Sequence, residues 1–163
     1  MKIKENQVIL LIGGTGFIGK NLVNTLINSG HELVILARDW SHVPELFFNF
    51  PQIKVIEVSL NELDKVASIV DELSIDLVIH MASGIVAGSD KKECNNELLN
   101  IVLPTMKLLD MLSQKSIKVI FFSSGGTIYG NKSDLITEES ELEPINYYGY
   151  SKLLIEQYIL FLS

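Results

Sequence analysis

Val8-Ile9-Leu10-Leu11-Ile12-Gly13-Gly14-Thr15-Gly16-Phe17-Ile18-Gly19 is the stretch that decides the fold. Its apolar run, Val8 to Ile12, shows no alternation with polar residues, which suits a strand buried on both faces of a parallel sheet. Glycines then recur every third position, at Gly13, Gly16 and Gly19, and a helical pattern runs from Phe17 to Asn28. A chain that turns sharply from strand to helix needs the backbone freedom of glycine. A missing side chain also lets the backbone come close to a pyrophosphate, and the last glycine lets helix and strand pack tightly. The free N–H groups that open the helix then face the anion. Gly13, Gly14, Thr15, Gly16, Phe17, Ile18 and Gly19 are therefore the candidate dinucleotide-binding residues. The alternative is a ligand-free turn. The position of the loop, after a strand and opening a helix, argues against it.

Further apolar runs follow at Leu33 to Ala37, Ile53 to Val58, Leu77 to Met81 and Val119 to Phe122. Helical patterns lie between and after them, at Asn61 to Leu73, Lys91 to Ser113 and Tyr147 to Leu162. Strand and helix in alternation predict an α/β domain with a doubly wound parallel sheet in three α/β/α layers; with the dinucleotide loop after its first strand it reads as Rossmann-type, with strand order 3-2-1-4-5. The stretch Trp40 to Pro51, with Phe47, Phe48 and Phe50, reads as a short helix on the sheet edge. Pro104 falls inside the long Lys91 to Ser113 pattern and should kink or interrupt it.

A chain of 163 residues, 47% apolar and 20% charged, fits one globular domain with its own core. The net charge of -7 argues against the basic stripe a nucleic-acid surface needs, so no nucleic-acid partner is expected. A small anion is a different matter, since a helix N-terminus binds phosphate without net positive charge. Cys94 is the single cysteine. It allows no internal disulfide, reads as an incidental thiol, and fits a reducing compartment. The polar start, Met1 to Gln7, lacks the shape of a signal peptide, and no apolar run approaches the length of a membrane span. The expectation is a cytoplasmic protein with no membrane partner and no metal site.

Tyr148-Gly149-Tyr150-Ser151-Lys152 places Tyr148 and Lys152 four residues apart, on one face of a helix. A phenol with an unperturbed pKa of about 10 is a poor base at neutral pH. A neighbouring ammonium favours the phenolate, so such a pair exchanges a proton with an alcohol. The same spacing also arises by chance on helices. The dinucleotide loop upstream tips the reading towards catalysis.

Gly13 to Gly19, His80-Met81-Ala82, Ser123-Ser124-Gly125-Gly126-Thr127-Ile128-Tyr129-Gly130 and Tyr148 to Lys152 occur in that order. Together they resemble the NAD-dependent epimerase/dehydratase family of extended short-chain dehydrogenases/reductases, and the resemblance covers the whole chain. It implies Tyr148 as catalytic acid/base and Lys152 as the residue that binds the nicotinamide ribose and activates the tyrosine. It implies that Met81, Ala82 and Ser83 line the cofactor, with His80 structural. It places Ala37 where NAD enzymes carry a ribose-binding acid, followed by Arg38, which suits NADP; in the alternative, Asp39 serves the ribose of NAD. The implied partner is a nucleotide-sugar substrate, and a homodimer is implied through the 91–113 helix.

Several departures narrow the resemblance. The catalytic Ser or Thr that many members carry four residues before the Tyr-Gly pair is Gly125 here. Ser124 and Thr127 are the substitutes; in an extended segment Thr127 would share a face with position 125. Gly125-Gly126-Thr127 also lacks the carboxylates of the dehydratases, which leaves epimerase, reductase or decarboxylase chemistry. The family's Asp near the adenine falls at Ser59, with Glu57 one face off, and its Asn before the kink is matched loosely by Asn100. Finally, members continue into a smaller sugar-binding domain with no counterpart in 1–163. The chain therefore reads as C-terminally truncated, and an uncovered edge predicts self-association. Two other readings stay open: a dinucleotide-binding module or inactive paralogue without turnover, and an interaction subunit that uses the Lys91 to Ser113 helix.

Overall fold

A computed structural model describes residues 6–163. Most of the polar start, residues 1–5, lies outside the described residues. The chain divides into two compact units, Met1–Ala82 with Met111–Phe122, and Ser83–Asp110 with Ser123–Ser163.

The first unit is built on five parallel strands: β1 (Val8–Ile12), β2 (Glu32–Ala37), β3 (Ile53–Glu57), β4 (Leu77–His80) and β5 (Lys118–Phe121). Their order is β3-β2-β1-β4-β5, the order expected of a Rossmann-type sheet. The register sets Ile9 beside both Leu33 and Leu77. Alternate side chains then form one apolar face, Ile9, Leu11, Leu33, Ile35, Leu77 and Ile79. Helix α1 (Phe17–Asn28) closes that face with Val23, Leu26 and Ile27. The right-handed β3–β4 crossover carries α2 (Leu63–Glu72) to the opposite face, where it buries Val66 and Val70. Doubly wound packing follows from sequence alone here, because strands buried on both faces demand helices on both.

The Trp40 to Pro51 stretch is two 3-10 turns, Trp40–His42 and Glu45–Asn49, rather than one helix. Pro44 separates them, and only Phe47 of the phenylalanines reaches the core cluster fully buried. His80, expected to be structural, is buried at the end of β4 with its ring centroid 5.6 Å from that of Phe121.

The second unit holds α3 (Lys91–Glu97), opened by an Asp90–Glu93 capping box, and most of α4 (Leu103–Gln114). Between them the chain takes a π-helical form over Leu98–Val102. The physical cause is Pro104, which has no N–H for the carbonyl one turn back; a widened turn absorbs the mismatch without a break. The same unit contains a short helix α5 (Gly125–Ile128) and the long α6 (Tyr147–Leu162). Tyr158 on α6 donates to Asp110 Oδ1 on α4 at 2.7 Å, and that bond holds the phenol above its usual range. Among the described residues no helix is long and apolar enough to cross a membrane.

Candidate cofactor and catalytic site

In the sheet unit, the glycine loop is forced by contact as well as by angle. Gly13 has a φ of +85°, and a Cβ there would lie 2.7 Å from the backbone nitrogen of Ala82. A Cβ on Gly19 would lie 2.5 Å from the carbonyl oxygen of Gly14. The loop thus rests directly on the Met81–Ala82 segment at the end of β4, where Met81 N–H donates to Ile12 at 2.8 Å. Gly16 is the N-cap of α1, brings no side chain to cap it, and the first turn carries no acidic residue. An uncapped helix start with no negative charge suits an anion.

A cavity of about 440 Å³ opens beside this loop, lined by Thr15, Gly16, Lys20, Arg38, Asp39, Ser41, His42, Val43 and Pro44. Thr15, Gly16 and Arg38, all expected at the cofactor, meet there. Phe17 and Ile18 do not line it; Phe17 is 86% exposed, pointing away from the core its neighbours fill. Lys20, Ser41 and His42 escaped the sequence reading. Nothing in their spacing links them, and only the fold brings the second turn of α1 beside the 3-10 turn after β2. Asp39 caps that turn. It accepts from Ser41 N–H at 2.9 Å, from the Ser41 hydroxyl, and contacts His42 Nδ1 at 3.0 Å. The Ser41 hydroxyl bond first, then His42, hold its carboxyl at a pKa of about 2.

In the second unit, Asn146 caps α6 by accepting from Gly149 N–H at 2.8 Å. A Cβ on Gly149 would lie 2.5 Å from the Thr127 carbonyl oxygen, so α5 and the first turn of α6 meet backbone to backbone. This contact sets Tyr148 and Lys152 in place. The Lys152 Nζ lies 5.7 Å from the centroid of the Tyr148 ring. Lys152 is only 2% exposed. Burial holds its amine below the usual lysine range, and the charge of Glu97 pulls it part of the way back. Glu97 is itself buried and accepts from Ser83 Oγ at 2.9 Å and from Gly84 N–H at 2.7 Å. Ser83, expected at the cofactor, therefore serves Glu97 here, and Met81 and Ala82 belong to the other unit. Glu97 carried no sequence signal, since an acidic residue in a polar helix start reads as a solvated one.

The segment Ser124 to Thr127 is not extended. Gly125–Ile128 is helical, because Ser124 O accepts from the N–H groups of Thr127 and Ile128 at 3.0 and 3.1 Å. Side chains there no longer alternate, so Thr127 does not share a face with position 125 in the way an extended strand would impose. Its hydroxyl donates to the Ser124 carbonyl at 3.4 Å. Ser124 makes no side-chain cap.

Residues 9–162 match the model of the NAD dependent epimerase/dehydratase family. The chain belongs to that family. Its relatives include a dTDP-4-dehydro-6-deoxyglucose reductase of Escherichia coli, 31% identical across 100% of this chain and 52% of the reductase. Among solved structures, this family member superposes on the UDP-Glc/GlcNAc 4-epimerase of Campylobacter jejuni with a TM-score of 0.86 and 26% identity, over 97% of this chain and 49% of that one. The UDP-glucose 4-epimerase of Thermus thermophilus, solved as a complex with NAD, gives 0.81 and 25% over 94% and 50%. The chain thus spans about half the length of the relatives it matches.

Proposed function

We propose that residues 1–163 form the dinucleotide-binding domain of an NAD(P)-dependent enzyme that epimerises or reduces a nucleotide sugar. The observation that carries this is the buried Lys152 ammonium over the Tyr148 ring on α6, in a chain whose first helix opens on an uncapped glycine loop. The loop suits a pyrophosphate because glycines at Gly13 and Gly19 let it pack backbone to backbone against Ala82 and within itself, which leaves the uncapped start of α1 open to an anion. Bound there, the dinucleotide supplies hydride exchange at the sugar carbon. Gly13, Gly14, Thr15, Gly16 and Gly19 hold its phosphates, and Arg38 faces its adenosine end.

Tyr148 takes the proton from the sugar hydroxyl as that carbon is oxidised and returns one on reduction. Lys152 keeps a positive charge beside the phenol and holds the nicotinamide ribose. Ser124 or Thr127 orients the hydroxyl. Ser124 is favoured, because the Thr127 hydroxyl already leans on the Ser124 carbonyl. The absence of carboxylates at Gly125-Gly126 in the sequence speaks for epimerisation or reduction over dehydration. We place the protein in the cytoplasm, supported by the buried free thiol of Cys94, and propose a homodimer through the 91–113 helix.

The test is a thermal-stability titration of the chain with NAD+, NADH, NADP+ and NADPH. A ligand that binds only the folded state raises Tm by mass action, by about 2.7 kcal/mol of stabilisation at a hundredfold excess over Kd. A rise with at least one dinucleotide is expected; no rise with any of the four overturns the reading. Gly125, standing where a hydroxyl residue is needed, supports a second reading, a dinucleotide-binding module without turnover. Bound dinucleotide with no conversion of UDP-glucose, UDP-N-acetylglucosamine or dTDP-4-keto sugars by the full-length protein would favour it.

A further inference from the structure

The geometry points to Glu97 as a positioning residue of the proposed Tyr148–Lys152 pair: a buried carboxylate that keeps the Lys152 proton in place. The inference deepens the function proposed above, rests on its reading of Lys152, and concerns residues of the second unit alone.

Lys152 is almost fully buried, and burial disfavours the charged form of an amine. A neutral amine would not favour the phenolate of Tyr148, whose ring centroid lies 5.7 Å from Nζ. The pair therefore needs a counter-charge from another element, and α3 brings one. Glu97 is the one carboxylate residue that is buried among the described residues, and its charge favours the Lys152 ammonium. The place for that carboxylate is built. Its Oε1 accepts from Ser83 Oγ at 2.9 Å and its Oε2 from Gly84 N–H at 2.7 Å. Hydrogen bonds to an ionised group are the strong ones. A Cβ on Gly84 would lie 2.9 Å from Oε2, so a side chain there would displace the carboxylate.

Other ionisable groups on the elements around Lys152 are few. On α3, Lys91, Lys92 and Glu93 are exposed, Glu93 closes the capping box, and the Cys94 thiol is buried one turn before Glu97. The π-helical stretch and α5, which also pack on α6, carry no ionisable side chain. On α4, Lys107 is exposed and Asp110 accepts from Tyr158. On α6 itself, Tyr147 and Tyr150 are exposed, and the one carboxylate, Glu156, is half-buried one turn beyond Lys152. Glu156 is therefore the rival that a test must separate from Glu97.

The experiment titrates the chain, grown with isotope-labelled lysine, by NMR and follows the Lys152 side chain, assigned by its loss in Lys152→Arg. Glu97→Gln keeps the size of the side chain and removes its charge. It should lower the Lys152 midpoint by at least about 1 pH unit, while Glu156→Gln leaves it in place. The unsubstituted chain should show the same coupling, its Lys152 signal shifting a second time as acid protonates Glu97. In the full-length protein the alkaline limb of the kcat profile, measured on the nucleotide sugars named above, should fall with the Lys152 midpoint in Glu97→Gln. Thermal melts show whether the variants fold. An unmoved midpoint in folded Glu97→Gln, or an equal fall in Glu156→Gln, overturns the inference. Where Glu97→Gln does not fold, a Lys152 signal blind to the carboxyl titration overturns it. An alkaline limb that stays put makes Glu97 structural only. Each of these leaves the Tyr148–Lys152 reading standing, whereas a Lys152 already neutral at about pH 7 in the unsubstituted chain overturns both. The Tm titration with dinucleotides judges the proposed function separately.

Discussion

Lys152 and Glu97 are an acid and a base buried within one unit, and their chemistry is tied together. Removing one charge leaves the other without its counterweight in a low-dielectric site, which is more costly than removing both. Lys152→Met should therefore destabilise the chain by about 3 kcal/mol. The double variant Glu97→Gln/Lys152→Met should recover more than half of that, read from the urea midpoints of the four members of the cycle. Equal losses in the single and double variants would show that the Glu97 charge does not matter to Lys152. At Asp39 the sign of the pH effect follows from its pKa of about 2. A carboxyl whose folded pKa is depressed adds stability above its unfolded pKa and loses it as pH falls through the folded value. The Tm advantage of wild type over Asp39→Asn should be full at pH 6, shrink below about pH 4, and be lost only as pH falls through about 2. A gap that does not shrink between pH 6 and about pH 2 would assign it to shape rather than charge.

Elements meet at glycines in this fold, and the glycines are not equivalent. At Gly13 a methyl group would strike the Ala82 backbone while a left-handed φ adds strain. Gly13→Ala should cost about 3 kcal/mol and abolish the dinucleotide-induced rise in Tm. Gly126 has open space within 4 Å. Gly126→Ala lies inside a helical turn and should leave stability within about 0.5 kcal/mol of wild type, or slightly improve it. Thermal melts of the two variants side by side make the comparison, and similar losses in both would contradict the contact argument. The boundaries of β1, α1 and α6 were legible because each apolar run is punctuated by a glycine or a capping residue. The helical turn Gly125–Ile128 was not. Paired glycines after a strand read as loop, and nothing in their spacing shows that Thr127 and Ile128 N–H would donate to the Ser124 carbonyl. The π-helical stretch was half legible: Pro104 announced a disturbance, but not that a wider turn would absorb it.

For the whole molecule, the doubly wound class emerged from alternation, while the association state is written on surfaces. Leu99 and Leu103, about one turn apart in the α3–α4 stretch, are 62% and 46% exposed. A homodimer through this stretch should bury them, so Leu99→Glu/Leu103→Glu should shift the sedimentation coefficient from dimer to monomer without lowering α-helical content. A monomeric wild type at high concentration would remove the homodimer from the proposal. The β5 strand pairs only with β4 among the described residues, and its apolar residues Val119, Ile120 and Phe121 are half-buried, which is where the expected self-association would otherwise begin.

Sequence by itself determined the α/β class, the glycine loop and the Tyr148–Lys152 pairing. Each of these is local: a hydrophobic period, a backbone angle, or a spacing on one helix face. Tertiary structure decided which side chains share a space. It gathered Lys20, Arg38, Ser41 and His42 around one cavity, set Glu97 beside Lys152 and Ser83, and turned Ser124 to Thr127 into a helix. Charge partners and cavity walls come from residues far apart in the chain, and no period or spacing encodes them.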